Sequence, residues 1–170
     1  MSSANKILER LTSLHPKIID LSLERVLSLL DKLENPHLHI PKAIHIAGTN
    51  GKGSTLSFLK SGLEASGKTI NSYTSPHLVN FNERIKLNGK EIDDSLLKKY
   101  LEVCEKFNQS SNITFFEITT CAAFLAFSKH KADYTLLEVG LGGKLDATNV
   151  IESPLISIIT PISLDHQQFL

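Results

Sequence analysis

The segment Gly48-Thr49-Asn50-Gly51-Lys52-Gly53-Ser54-Thr55 carries residue types that hold phosphate. Glycines let backbone N–H groups approach phosphate oxygens, and a helix starting after the loop adds partial positive charge. Lys52 adds a full charge, and Ser54 or Thr55 can reach a magnesium ion. The stretch departs from the strict P-loop pattern. Ile46 stands where its first glycine belongs, and Gly53 follows the lysine.

Glu138 is the second chemically informative residue. It lies near the end of the apolar run Tyr134 to Val139. An unpaired carboxylate there costs several kcal/mol or takes up a proton, and a cation resolves the conflict. Pairing with Lys52 or Lys144 is the alternative. Two other polar loops follow apolar runs: Thr74-Ser75-Pro76-His77-Leu78 and Ser163-Leu164-Asp165-His166. Ser54, Ser75, Glu138 and His166 can therefore converge on one magnesium beside bound phosphates. Each has a plainer reading as well. Ser75 can serve the turn before Pro76, His166 can cap a helix, and Asp146 can make an Asx-turn or a cap. Glu117, among Phe115, Phe116 and Ile118, is either a first-turn residue favoured by the helix dipole or part of a ligand pocket. The other histidines show no metal-like pairing; His37 and His39 read as loop residues, and His45 as a strand residue packed under a helix.

The elements that must position these residues follow from periodicity. Ile7 to Leu14 and Leu21 to Leu33 read as amphipathic helices, the second stopped by Asn35-Pro36. Ala43 to Ala47 reads as a strand feeding the glycine-rich loop, and Thr55 to Ser66 as the helix after it, with Gly67 at its C-cap. Thr69 to Tyr73 is the next strand. Arg84 to Ile92 reads as a hairpin around Asn88-Gly89, the pair a type I′ turn prefers. Asp93 or Asp94 caps a helix to about Asn108, and Thr114 or Phe115 opens another to Lys129. Tyr134 to Val139 and Leu155 to Thr160 lack alternation, as strands covered on both faces do. Asp165 to Leu170 reads as the start of a further helix. The fold class is α/β, a mostly parallel sheet with a P-loop and flanking helices. Ligands of such sheets bind outside the carboxyl ends of the strands.

Composition narrows the function classes. The chain has 170 residues, enough for one domain, with 41% hydrophobic and 21% charged residues, as in ordinary globular proteins. Lys+Arg and Asp+Glu both number 18, so net charge is zero, which argues against non-specific nucleic-acid binding and against an anionic lipid surface. No apolar run approaches a membrane span, and no signal-peptide core follows Lys6, Glu9 and Arg10. Cys104 and Cys121 show no metal-like spacing and read as buried small hydrophobes in a reducing, cytoplasmic setting.

Taken in order, Ile44 to Ser54, Thr74-Ser75-Pro76-His77-Leu78, Phe81-Asn82-Glu83-Arg84-Ile85, Thr114-Phe115-Phe116-Glu117, Glu138 to Asn149 and Leu164-Asp165-His166 resemble the folylpolyglutamate synthase and dihydrofolate synthase family of the Mur ligase superfamily. The resemblance implies an ATP-dependent ligase. Such an enzyme phosphorylates a carboxylate of dihydropteroate or a folate, and L-glutamate's amine then attacks the acyl phosphate. It implies that Gly48, Thr49, Asn50, Gly51, Lys52, Gly53, Ser54 and Thr55 hold the nucleotide, and that Ser75, Glu138 and His166 hold magnesium. Lys52, Glu138 and His166 are then the catalytic set, and Arg84, Thr114, Phe116, Asp146 and Ala147 approach the pterin. Lys144 stands where the family usually has arginine, keeping the charge without the bidentate fork. The resemblance further implies that residues 1–170 form the N-terminal part of a longer protein, monomeric when complete, without its C-terminal glutamate-ligase domain, and that this chain alone does not complete the reaction. Spacing alone leaves two other readings open: a different P-loop hydrolase or kinase, and an inactive nucleotide-binding remnant.

Overall fold

The computed structural model describes residues 3–14 and 22–165. Eleven helices and strands follow in order: α1 (Ser3–Leu14), α2 (Glu24–Lys32), β1 (Lys42–Ala47), α3 (Lys52–Ala65), β2 (Ile70–Tyr73), β3 (Ile85–Leu87), β4 (Lys90–Glu91), α4 (Asp94–Asn108), α5 (Phe115–Lys129), β5 (Tyr134–Glu138) and β6 (Ile156–Ile159). The strands form one sheet in the order β4-β3-β2-β5-β1-β6. β2, β5, β1 and β6 run parallel, and the β3–β4 hairpin is added antiparallel at one edge. The expected class, α/β with a mostly parallel sheet and flanking helices, is what the structure has.

Strand alternation divides the core in two. Ile44, Ile46, Ile70 and Leu136 pack with Leu56 of α3 on one face. Tyr73, Ile85 and Leu137 point the other way into a larger cluster built from α1, α2, α4 and α5. α5 is buried nearly all round because it lies between the sheet and the other helices. Its Ala- and Phe-rich sequence, without a polar face, fits that position. Cys104 and Cys121 are both buried and unbridged in this cluster.

The hairpin turn is as its sequence requires. Asn88 (φ 49°) and Gly89 (φ 79°) both adopt the left-handed region of a type I′ turn. Arg84 is outside the hairpin, at the end of a short 3-10 turn over Phe81–Arg84. Four further expectations are corrected. The helix after β1 starts at Lys52, not Thr55, because Gly51 in a left-handed conformation (φ 85°) turns the chain directly into it. His37 is in a 3-10 turn and buried against Phe124, with ring centroids 6.3 Å apart, rather than in an open loop. β6 is not covered on both faces; Ile159 is 69% exposed, since β6 is the sheet's edge and α3 packs over β1, β2 and β5. α1 begins at Ser3 rather than Ile7. The helix expected from Asp165 lies outside the described residues, apart from Asp165 itself. No helix among the described residues is long and apolar enough to cross a membrane.

Candidate functional site

The strand order fixes where the chemistry gathers. The chain leaving β1 returns in β2, toward the hairpin edge, and the chain leaving β5 returns in β6, toward the opposite edge. β1 and β5 are neighbours, so their carboxyl ends form the switch point at which open α/β sheets bind ligands. The glycine-rich loop follows β1, and the loop from Val139 to Asn149 follows β5.

The earlier helix start matters here. Lys52, Gly53 and Ser54 form the first turn of α3, and no side chain caps its N-terminus. The first-turn amides have no intrahelical acceptor, so they are donors aimed at the site, reinforced by the helix dipole. Gly48 (φ +130°) packs against Thr160 so closely that a Cβ would clash with the Thr160 hydroxyl and stand 2.8 Å from its carbonyl oxygen. The loop is also tied to the segment after β6. Thr49 and Asn50 donate backbone N–H groups to the Pro161 carbonyl (3.1 and 3.3 Å), and the Asn50 amide reaches the Ser163 hydroxyl at 3.2 Å. Lys52 folds back, its Nζ donating to the Gly48 carbonyl at 2.8 Å and to that of Thr49 at 3.4 Å.

Glu138 ends β5 beside this turn. A Cβ on Gly53 would be 3.6 Å from its Oε1. The carboxylate is 6% exposed and, among the described residues, accepts one hydrogen bond, from the Ser75 backbone N–H at 3.2 Å. Among the described residues no lysine comes within ion-pair distance, so neither Lys144 nor Lys52 pairs with it. Burial pushes its carboxyl above the usual range, opposed by the Ser75 N–H and the more distant charge of Lys52. An acceptor with about four lone-pair positions and one donor is short of partners. A divalent cation would supply what is missing, and Ser75 and Ser54 stand at the same edge. His166, the third expected ligand, lies outside the described residues.

Of the residues expected near the pterin, Phe116 packs against Tyr73, a residue that reads in sequence only as a strand end. Its ring centroid is 6.1 Å from that of Phe116, and its hydroxyl bonds to Thr120 at 3.1 Å. Charges of both Arg84 and Asp146 reach that hydroxyl, while burial raises its pKa. Gly140 closes one side; a Cβ there would be 2.5 Å from Phe116 Cζ and 3.1 Å from Asp146 Oδ2. Arg84 donates from Nε to His77 Nδ1 at 2.9 Å and covers the Phe81 ring at 5.1 Å. Ala147 is buried in the larger core cluster.

Three side chains are already spoken for. Asp146 Oδ2 accepts the N–H groups of Gly140 (3.0 Å) and Leu141 (2.8 Å), and Oδ1 accepts the Thr148 N–H (3.0 Å) and hydroxyl (2.5 Å). The Asx-turn reading of Asp146 therefore holds in this structure. Thr114 caps α5 through its hydroxyl, which accepts the Glu117 N–H, while Glu117 accepts the Thr114 N–H at 2.7 Å. Glu117 also pairs with Arg25 of α2 through Nε (3.1 Å) and Nη2 (2.9 Å). Glu117 is thus a buried capping and bracing residue. Glu83, unassigned from sequence, accepts the N–H groups of Leu78, Val79 and Asn80 and orders the loop after β2.

Comparison with known proteins extends this picture. The Mur ligase middle domain matches residues 46–170. The dihydrofolate synthase/folylpolyglutamate synthase of Bacillus subtilis is 42% identical over 156 residues, which cover 87% of this chain and 36% of that protein. A solved structure of E. coli FolC in complex with DHPP and ADP superposes with a TM-score of 0.92 at 38% identity, covering 98% of this chain and 40% of that one. A bifunctional folylpolyglutamate synthase/dihydrofolate synthase with Mn, AMPPNP and L-glutamate bound gives 0.88 at 37% identity, covering 98% and 40%. The chain thus spans about two fifths of the length of the proteins it matches. With the domain match covering most of the sequence, and with the phosphate loop and Glu138 at the switch point, the chain belongs to the Mur ligase family through its middle domain.

Proposed function

We propose that the protein acts as an ATP-dependent ligase that joins L-glutamate to dihydropteroate or to folates, with this chain forming part of its ATP-binding domain. The observation that carries the reading is the under-bonded Glu138 carboxylate beside the uncapped α3 N-terminus. The relatives solved with ADP and DHPP, and with Mn, AMPPNP and L-glutamate, support the choice of ligands.

The chemistry divides between the two loops. A carboxylate oxygen of the pteroate substrate attacks the γ-phosphorus of ATP, the bond to the β-phosphate oxygen breaks, and ADP leaves. The amine of glutamate then attacks the acyl carbon, inorganic phosphate leaves, and the amine loses a proton. The α3 first-turn amides hold phosphate oxygens without reorganising, which is the largest contribution such a loop makes. Lys52, released from the Gly48 carbonyl, places its charge on the transferring phosphoryl group. Magnesium, held by Glu138, Ser75 and His166, supplies charge neutralisation when bound. Phe116, Arg84, Asp146 and Ala147 form the wall against which the pterin is oriented, and no residue is needed as a covalent nucleophile.

The test is ADP release by the intact protein. Release is expected only with a pteroate-type substrate and glutamate both present; release indifferent to both refutes the ligase reading and favours a hydrolase.

A further inference from the structure

A chain of hydrogen bonds runs from the sheet to the pterin wall. His45, buried on β1, contacts Thr148 Oγ1 through Nε2 at 2.8 Å. The Thr148 hydroxyl spends its proton on Asp146 Oδ1 at 2.5 Å. It can then only accept from His45, so the imidazole carries its proton on Nε2. With the Thr148 N–H, and the Gly140 and Leu141 N–H groups on Oδ2, every acceptor position of the Asp146 carboxylate is filled. The carboxylate is therefore held in one orientation. Its work is to pin Gly140 against the Phe116 ring, where there is no room for a Cβ.

We propose that Thr148 and His45 are positioning residues for the pterin-facing wall of Phe116, Gly140, Asp146 and Ala147. The assignment rests on the ligase reading above. The hydroxyl fixes one oxygen of Asp146, and the imidazole fixes the hydroxyl. Together they hold the Gly140–Leu141 backbone in place before substrate arrives. A fully bonded network of this kind fixes geometry rather than adding an attractive contact. Its loss is therefore read in the affinity for one substrate and not the other.

The test is steady-state ADP release by the intact protein, varying the pteroate substrate and ATP separately. Thr148→Val removes the hydroxyl at constant shape. It is expected to raise KM for the pteroate substrate about tenfold while KM for ATP stays within about twofold. Thr148→Ser is expected to restore the wild-type value. His45→Leu, which leaves the Thr148–Asp146 bond in place, gives a smaller rise in the same parameter and keeps the proposal testable if the valine variant does not fold. The double variant is expected to be no worse than Thr148→Val alone, since both break one chain. A pteroate KM unchanged in folded Thr148→Val and His45→Leu, or raised equally with that for ATP, overturns the assignment while the ligase reading stands. Wild-type release indifferent to pteroate refutes the ligase reading and this assignment with it.

Discussion

Replacing Glu138 by glutamine tests whether its carboxylate is kept for a cation. The charge is buried and, among the described residues, has one hydrogen bond, from the Ser75 N–H. A buried polar group without partners costs about 1–3 kcal/mol, and a charged one more. Glutamine keeps the shape and removes the charge but leaves a buried amide. The net gain for the ligand-free protein is therefore expected near 1 kcal/mol, a rise of about 2–4 °C in Tm for a chain of this size. The sign reverses when ligand is added. Wild type at a hundredfold excess over Kd gains about 2.7 kcal/mol from magnesium-ATP, and the variant is expected to lose most of that gain. Acidity supplies a control. The folded carboxyl titrates above its unfolded value of about 4.3, so the folded state binds that proton more readily. The handicap is present at neutral pH and fades as pH falls through the folded pKa, so the gap between variant and wild type should close on acidification. Thermal melts with and without magnesium-ATP, across pH, read all three effects. A ligand-free variant less stable than wild type, with its magnesium-ATP shift intact, would show that Glu138 is a structural residue.

Gly48→Ala forces a Cβ onto Thr160 and places it at φ +130°; a loss of about 3 kcal/mol is expected in urea denaturation, with nucleotide binding weakened in parallel. Glu117→Ala removes the carboxylate that pairs with Arg25 and accepts the Thr114 N–H, leaving the Thr114 hydroxyl cap in place, and about 3 kcal/mol of stability is expected to go, read by the same denaturation. Thr135 Oγ1 is buried with no hydrogen-bond partner among the described residues, so Thr135→Val is expected to be neutral or to stabilise by up to about 1 kcal/mol, without change in ATP affinity.

What the sequence disclosed, and what it hid, divides by range. Asn88-Gly89 specifies its own turn, and Glu138 stands out because a carboxylate in an apolar strand contradicts its surroundings. Periodicity sets the start of α3 too late because its first turn, Lys52-Gly53-Ser54-Thr55, contributes nothing apolar to the pattern, which begins at Leu56. Arg25 and Glu117 are 92 positions apart, and the Thr148–His45 bond joins positions 103 apart. No local spacing marks either pair; only the layer order of the fold brings them together. The apolar run ending in Thr160 reads as doubly covered because hydrophobicity cannot distinguish a central strand from an edge. Tyr73 was hidden for a related reason: the residue that links Arg84, Phe116 and Asp146 is, in sequence, one aromatic at the end of a short strand.

The tie between the glycine-rich loop and the segment after β6 sets up a competition. A phosphate oxygen meets the first-turn amides of α3 unopposed, but the amides of Thr49 and Asn50 are already held by the Pro161 carbonyl. An anion that takes them must displace that carbonyl, so its apparent affinity is reduced by the fraction of molecules in which they are free. The same exchange also passes in reverse. Ligation at one strand end therefore changes the tether on residues 161–163.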